Sequence, residues 1–389
     1  MRWISKLNEN IKRGLRSWLD IQEANPTVIQ VHELMDFELS AIRNRIWYWG
    51  DGNKLEEFYK QSPEEVDKYK FWASRCSPGM EMRKIHTGLP ALIVRVLSSI
   101  VLGGYELILS LRIQAQEQIW KEIEKANKFR KGFEEALKET LYIGDGAYKV
   151  TMDTTVSPYP ILEWYPGEKI EINRYRGRVK EVVFKTPIAE NGRKYTLYEY
   201  YGYGYIRNEL YKGDNLVDLK AVETTKNLKD YKFDESVILA APLKIYESAK
   251  WAGRGGSIFD GKLDNFDAFD EIWSQWMQAL RLGRARTFIP EAFIPRNPET
   301  GALLKPNPFD NQHIAGNDNM SEDGKNQITT VQPTIPHDSY LTSYVTALDL
   351  CLQGIISPST LGIDTKKLDN AEARKGERKN NPLYSKCYH

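Results

Sequence analysis

The sequence predicts an α+β protein, and three observations carry that reading. Helical periodicity dominates to about residue 140. Short strand-like runs separated by turn residues then continue to about residue 250. Two apolar helical stripes finally bracket a Pro-rich β segment between Asp260 and Ile356. Helices and strands that segregate along a chain in this way belong to α+β architectures. At 389 residues there is length for two or three domains and a sizeable core.

Composition narrows the function classes. With 54 basic and 53 acidic residues, no global basic field announces nucleic acid. Aromatic residues make up 12% of the chain, which suits packing surfaces between elements or subunits. Cys76, Cys351 and Cys387 are scattered, with neither a disulfide framework nor metal spacing, so synthesis in a reducing cytosol is expected. The charged start Met1–Lys6 lacks a following apolar h-region, so no signal peptide is expected. Leu89–Leu102 is the most apolar stretch, but Arg95, Ser98 and Ser99 interrupt it. It is too short and polar to span a bilayer and reads as a buried element. No internal repeat stands out.

Taken in order, Met1–Leu19 is a basic amphipathic helix that suits a membrane surface, a partner, or its own domain. Ile29–Trp49 holds a second amphipathic helix, broken by Gly50-Asp51-Gly52. Ser62-Pro63-Glu64-Glu65 reads as a capped helix start. After Pro78-Gly79 the apolar stretch runs to Gly103-Gly104. Gln114–Thr140 predicts one charged helix with Trp120, Ile123, Phe129, Phe133 and Leu137 as its apolar positions. Ile143–Val150, Leu162–Trp164, Lys169–Asn173, Lys180–Lys185, Tyr195–Tyr201 and Ile206–Tyr211 then predict an antiparallel sheet. A polar run, Lys220–Asp234, leads through Ile238-Leu239 to a glycine-rich hinge, Gly253–Gly256.

The next helix carries Leu263, Phe266, Phe269, Trp273, Trp276, Met277 and Leu280 as an apolar stripe, with Asp260 expected at its N-cap. Asp264, Asp267, Asp270 and Glu271 crowd its first half, and Arg281, Arg284 and Arg286 close the other end, an order that suits the helix dipole. Such a helix would be roughly 30 Å long. Thr287–Ile294 and Ile328–Ile335 predict two short strands flanking a polar run, Pro295–Gln327. Asp338 is a plausible cap for a second helix, with Tyr340, Leu341, Tyr344, Leu348, Cys351, Leu352 and Ile355 in its stripe. Two long helices around a small β module suggest a rod with a tip.

Signals of chemistry are sparse. There is no G-x-x-x-x-G-K-[ST], and neither Gly144-Asp145-Gly146 nor Gly202-Tyr203-Gly204 completes a dinucleotide fingerprint, so turn glycines are expected there. Asp264, Asp267 and Asp270 could face a metal from one helix side, but without a second acidic motif an exposed acidic face is expected. His32, His86, His313, His337 and His389 share no ligand spacing, and no nucleophile motif is present. No enzyme activity, cofactor or metal is expected. Arg281, Arg284 and Arg286 near Trp273 and Trp276 could track phosphates or could be ordinary helix-end charges bridged to a neighbour.

Two stretches carry a resemblance: Gly253–Trp273 (GRGGSIFDGKLDNFDAFDEIW), and Ile356–Asp364 (ISPSTLGID) followed by Lys366–Ala373 (KKLDNAEA). In sequence and order they resemble the stem entry and stem exit of tailed-bacteriophage portal proteins, the siphovirus-like head-tail connectors. The resemblance spans about residues 40–373. It implies a portal fold with an α/β wing at 1–255, helical to about 140 and an antiparallel sheet over 141–250. A first stem helix at 256–286, a small α/β clip at 287–336 and a second stem helix at 337–356 would follow, with 357–389 starting the tunnel loop and helix. Such proteins form a ring, usually of twelve subunits, at one capsid vertex. Double-stranded DNA passes through it. The terminase large subunit docks on the clip and is later replaced by head-completion or adaptor proteins; major capsid and scaffold proteins surround the ring. The ATPase belongs to the terminase, in agreement with the missing P-loop. By this resemblance Phe266, Phe269, Trp273, Trp276 and Leu280 would pack the stem and oligomer, and Arg281, Arg284, Arg286, Lys366 and Lys367 would face DNA. The location would be the virion's portal vertex, with host cytoplasm during assembly and no membrane. After Ala373 the pattern departs: Gly376 and Pro382 break the long helix expected there, which reads as a truncated C-terminus. A DNA-processing enzyme with a divergent active site, or another virion structural or adaptor protein, are the alternatives.

Overall fold

The computed structural model describes residues 36–61, 69–75, 82–104, 114–290, 296–301, 313–316 and 329–363. The expectations for Met1–Leu19, Ser62–Glu65, Pro78-Gly79, Lys366, Lys367 and the C-terminal departure lie outside these residues. Seven α-helices and three sheets make a mixed α+β protein among the described residues.

α1 (Phe37–Trp49) begins at Asp36, whose carboxylate accepts the Leu39 N–H at 2.7 Å, and ends at Gly50, left-handed at φ 71°. This is the glycine break expected from the sequence, at a position where other residues would be strained. α2 (Gly52–Gln61) turns Leu55 and Tyr59 inward. The apolar stretch forms α3 (Leu89–Gly103), with Pro90 in the first turn where its missing N–H costs nothing. Only one side of α3 is buried, through Ile93, Val94, Val96 and Leu102; Leu92, Ile100 and Val101 are exposed.

The single helix expected over Gln114–Thr140 is in fact two, α4 (Gln114–Asn127) and α5 (Phe129–Ile143), parted at Lys128 with φ 49°. Asn127 explains the break. Its amide donates to Pro160 O at 2.9 Å and its carbonyl accepts the Leu162 N–H at 2.8 Å, so the corner is tied to the entry of the next strand.

The strands form two antiparallel sheets rather than one. β1 (Asp145–Thr151) lies between β2 (Ile161–Pro166) and β9 (Ala240–Lys244). The second sheet orders β3 (Ile170–Tyr175), β4 (Arg178–Glu190), β5 (Arg193–Gly202), β6 (Tyr205–Lys212) and β7 (Asn215–Val217), with β8 (Tyr231–Lys232) also on β6. Asn191-Gly192, at φ 50° and 71°, makes the tight β4–β5 turn that the right-handed twist of the strands favours. A buried polar pin joins the sheets: Lys149 of β1 donates to Glu199 of β5 at 2.9 Å and to the Tyr165 hydroxyl of β2 at 3.2 Å. Burial alone would push the Lys149 ammonium down, but Glu199 and Tyr165 outweigh it and hold its pKa above the usual lysine range.

The expected hinge is instead a clamp. Arg254 grips the fully buried Asp145 through Nε and Nη2, both at 2.8 Å, while the Gly255 N–H meets the same carboxylate at 2.8 Å. The guanidinium also donates to the carbonyls of Gly167 and Ile170 and lies 3.7 Å from the Phe37 ring centroid. A Cβ on Gly255 would stand 2.1 Å from the Gly144 carbonyl oxygen, so two backbones meet where no side chain fits. Gly146, expected in a turn, lies inside β1 against the Trp164 ring.

α6 (Leu263–Leu282) and α7 (His337–Leu352) pack together and flank a third sheet of β10 (Arg286–Pro290), β11 (His313–Gly316) and β12 (Thr329–Val331). β10 is central, parallel to β11 and antiparallel to β12. Two strands were expected; β11 arises within the polar run Pro295–Gln327 and adds a third. Asp260 does not cap α6. Its carboxylate closes the preceding turn on the Ser257 N–H at 2.9 Å, and the helix starts after Lys262 without a side-chain cap. Asp338 lies in the first turn of α7 rather than at its cap, and Ile355 falls beyond the helix end, after a turn at Gly354 with φ 78°. The main core gathers α1, α2, α3, α5, α6 and α7 around Trp47, Trp72, Phe259, Phe266, Phe269 and Leu348.

Candidate functional site

α6 has two working faces, and its sequence explains both. Phe266 and Phe269 fall three apart and sink into the core at 1% and 2% exposure. Phe266 meets Phe259 edge-on at 5.5 Å between ring centroids. One turn further, Trp273 and Trp276 are half-buried against α7: Trp273 lies 5.6 Å from Tyr344, and Trp276 stacks on Tyr340 at 6.2 Å with planes 7° apart. Phe269 joins the same seam, 4.8 Å from Tyr344. The seam is therefore made within one chain, by residues spaced to stay on one helix side. Leu280 departs from this pattern; it is 40% exposed, outside the seam. At the far end, a Cβ on Gly283 would stand 2.3 Å from Ile335 Cδ1, so the Ile335 side chain lies directly over this glycine and would have to turn aside for a larger residue.

The polar face overturns the expected exposed acidic stripe. Asp264 alone is exposed, paired with Lys70. Asp267 and Asp270 are buried, together with Ser274. Asp267 accepts the Phe71 and Trp72 N–H groups at 2.7 and 3.3 Å. Asp270 accepts four donors: Trp72 Nε1–H at 3.2 Å, His86 Nδ1–H at 2.6 Å, the Thr87 N–H at 2.9 Å and the Thr87 hydroxyl at 2.8 Å. Ser274 Oγ accepts the Ile85 N–H at 2.9 Å and donates to the Asp270 carbonyl at 2.7 Å. The spacing 267, 270, 274 is one helical stripe, the only trace of this role in the sequence. Carboxylates at that spacing read equally well as a solvated face, because nothing local tells which side the rest of the chain will cover.

Arg281 is half-buried and Arg284 exposed at the end of α6 beside the small sheet. Arg286 belongs to β10, where its backbone pairs with Val331; its side chain, like Lys366 and Lys367, lies outside the described residues. Two of the five expected DNA-facing residues are thus brought to one helix end. The sequence matches no protein-family model and no curated protein. Among the described residues no group of three or more His, Cys, Asp and Glu side chains is placed to hold a metal ion, and no helix is long and apolar enough to cross a membrane.

The aromatic seam makes a direct prediction. Trp273→Ala with Trp276→Ala is expected to lower stability by about 2–5 kcal/mol, because two half-buried indoles leave voids against Tyr340 and Tyr344. Thermal melting checks this; an unchanged midpoint would show that the two helices are held together elsewhere.

Proposed function

We propose that this chain is a portal-type ring subunit through which double-stranded DNA passes into and out of a capsid. The observation that carries the reading is the helix–sheet–helix excursion. α6, 20 residues long, runs into a small sheet, and α7, 16 residues long, returns along the same aromatic seam. That order is the one implied by the portal resemblance of Gly253–Trp273 and Ile356–Asp364. In this reading α6 and α7 are the stem, β10–β12 the clip, and the residues before about 255 the wing. The exposed Leu280 then contributes to the contact with the neighbouring subunit. Terminase docks at the clip sheet during packaging, and adaptor proteins take its place later. DNA has to slide, so Arg281 and Arg284 supply a few screened phosphate contacts rather than a tight site.

Negative-stain images of the purified protein test the proposal: closed rings with an axial hole are expected. A protein that stays monomeric at every concentration by light scattering, or that cuts plasmid DNA, would overturn it. Within rings, Arg281→Ala with Arg284→Ala should leave ring dimensions unchanged. It should reduce the salt dependence of DNA association by roughly 0.9 in log–log slope per lost phosphate contact. A slope identical to wild type would place the DNA path elsewhere.

A further inference from the structure

Two short pieces of chain, residues 69–75 and 82–88, lie along the polar face of α6 like a strap. Backbone N–H groups of Phe71, Trp72, Ile85 and Thr87 enter the α6 side chains Asp267, Asp270 and Ser274. The two carboxylates are not equivalent. Asp270 has four donors, enough to occupy every lone-pair position of a carboxylate. Asp267, at 6% exposure, has two backbone donors, one of them long at 3.3 Å.

The charged and titratable groups around Asp267 come from four elements. On α6 these are Asp264 and Asp270, the latter one turn away. On the strap they are Lys70, His86 and Lys84. Lys70 pairs with the exposed Asp264. Lys84 is turned to the carbonyls of Trp72 and Ser74 and to Glu56 of α2. On α7, the buried Cys351 feels the charge of Asp270. Asp267 therefore sits dry, beside a second carboxylate, with its nearest cations engaged by other acids and carbonyls.

We propose that Asp267 is a proton-controlled catch between the root of α6 and this strap, tighter in mild acid than at neutral pH. Burial raises the Asp267 carboxyl to about 6, against the pull of the Phe71 and Trp72 N–H groups and of Lys70. When the strap lifts, the carboxyl is rehydrated and returns towards the ordinary carboxylate range. The closed form thus holds more protons between about pH 4 and 6. Its stability falls as pH rises through that window and is level above it. The catch is a property of one subunit and stands apart from the ring reading.

Hydrogen exchange of the full chain between pH 5 and 7.5, corrected for intrinsic rates, reads the opening of the Phe71 and Trp72 amides. Opening is expected to increase roughly tenfold towards neutral pH in the wild type. It should be nearly flat in Asp267→Asn. A profile unchanged in Asp267→Asn would assign the effect to another group and overturn the proposal. So would opening in the wild type that does not vary with pH. Lys70→Ala, a change outside the core, keeps the test decisive if Asp267→Asn does not fold. Losing the Lys70 charge should move the midpoint to higher pH, and an unmoved midpoint would likewise overturn the catch.

Discussion

Asp270→Ala is expected to destabilise the protein by about 3–5 kcal/mol. The carboxylate is 1% exposed and satisfies an indole N–H, an imidazole N–H, a backbone N–H and a hydroxyl. Alanine leaves all four donors buried, and water does not reach them without opening the contact between α6 and the strap. The His86 Nε2 is already buried without a hydrogen-bond partner, so the ring cannot exchange one nitrogen for the other at no cost. Asparagine keeps the volume but turns one acceptor into a donor facing other donors, so it should recover little of the loss. The urea midpoint measures both variants. A loss under about 1 kcal/mol for Asp270→Ala would mean that the strap is held by Asp267, Ser274 and apolar packing rather than by Asp270.

Arg254→Met should cost a similar amount, about 3–5 kcal/mol. The methionine covers much of the hydrophobic stem of arginine, so most of the loss comes from the charge. Asp145, with no exposed surface, would keep only the Gly255 N–H. The carbonyls of Gly167 and Ile170 would each lose the Arg254 donor at the same time, with Gly167 keeping the Ile170 N–H, which loosens the start of β3. A second change, Asp145→Leu on the Arg254→Met background, removes the stranded charge. It should recover at least about 1 kcal/mol, since a paired charge is costly to break but less costly to replace whole. Strictly additive effects in this cycle would show that the two side chains are not coupled.

Particular residues show where sequence reading succeeds and where it stops. Gly50 ends α1 and Gly103 closes α3 as their positions in the apolar pattern require. The strands from Leu162 to Tyr211 fall between the turn residues that punctuate this part of the chain. The Phe269, Trp273, Tyr340 and Tyr344 seam follows from two stripes at helical spacing. Each of these rests on interactions within a few residues, or on the simple need to bury an apolar face. Lys128 is different. Its break depends on Asn127 reaching residues more than thirty positions later, and helical periodicity runs straight across it.

By itself, then, the sequence determined the α+β class and the main apolar faces, because periodicity is a local property of the chain. It could not decide which polar residues are buried, because an aspartate on a helix looks the same whether water or a strap will cover it. Asp267 and Asp270 became buried anchors only when Phe71, Trp72, His86 and Thr87, nearly two hundred residues earlier, folded over them. In the same way the glycines at 253–256 became part of a clamp only when Arg254 met Asp145 across a separation of 109 residues. The division of the strands into two sheets also needed β9 to return beside β1. Long-range partners decide these features, since the cost of burying a charge or a bare backbone is met only by groups the fold brings from elsewhere.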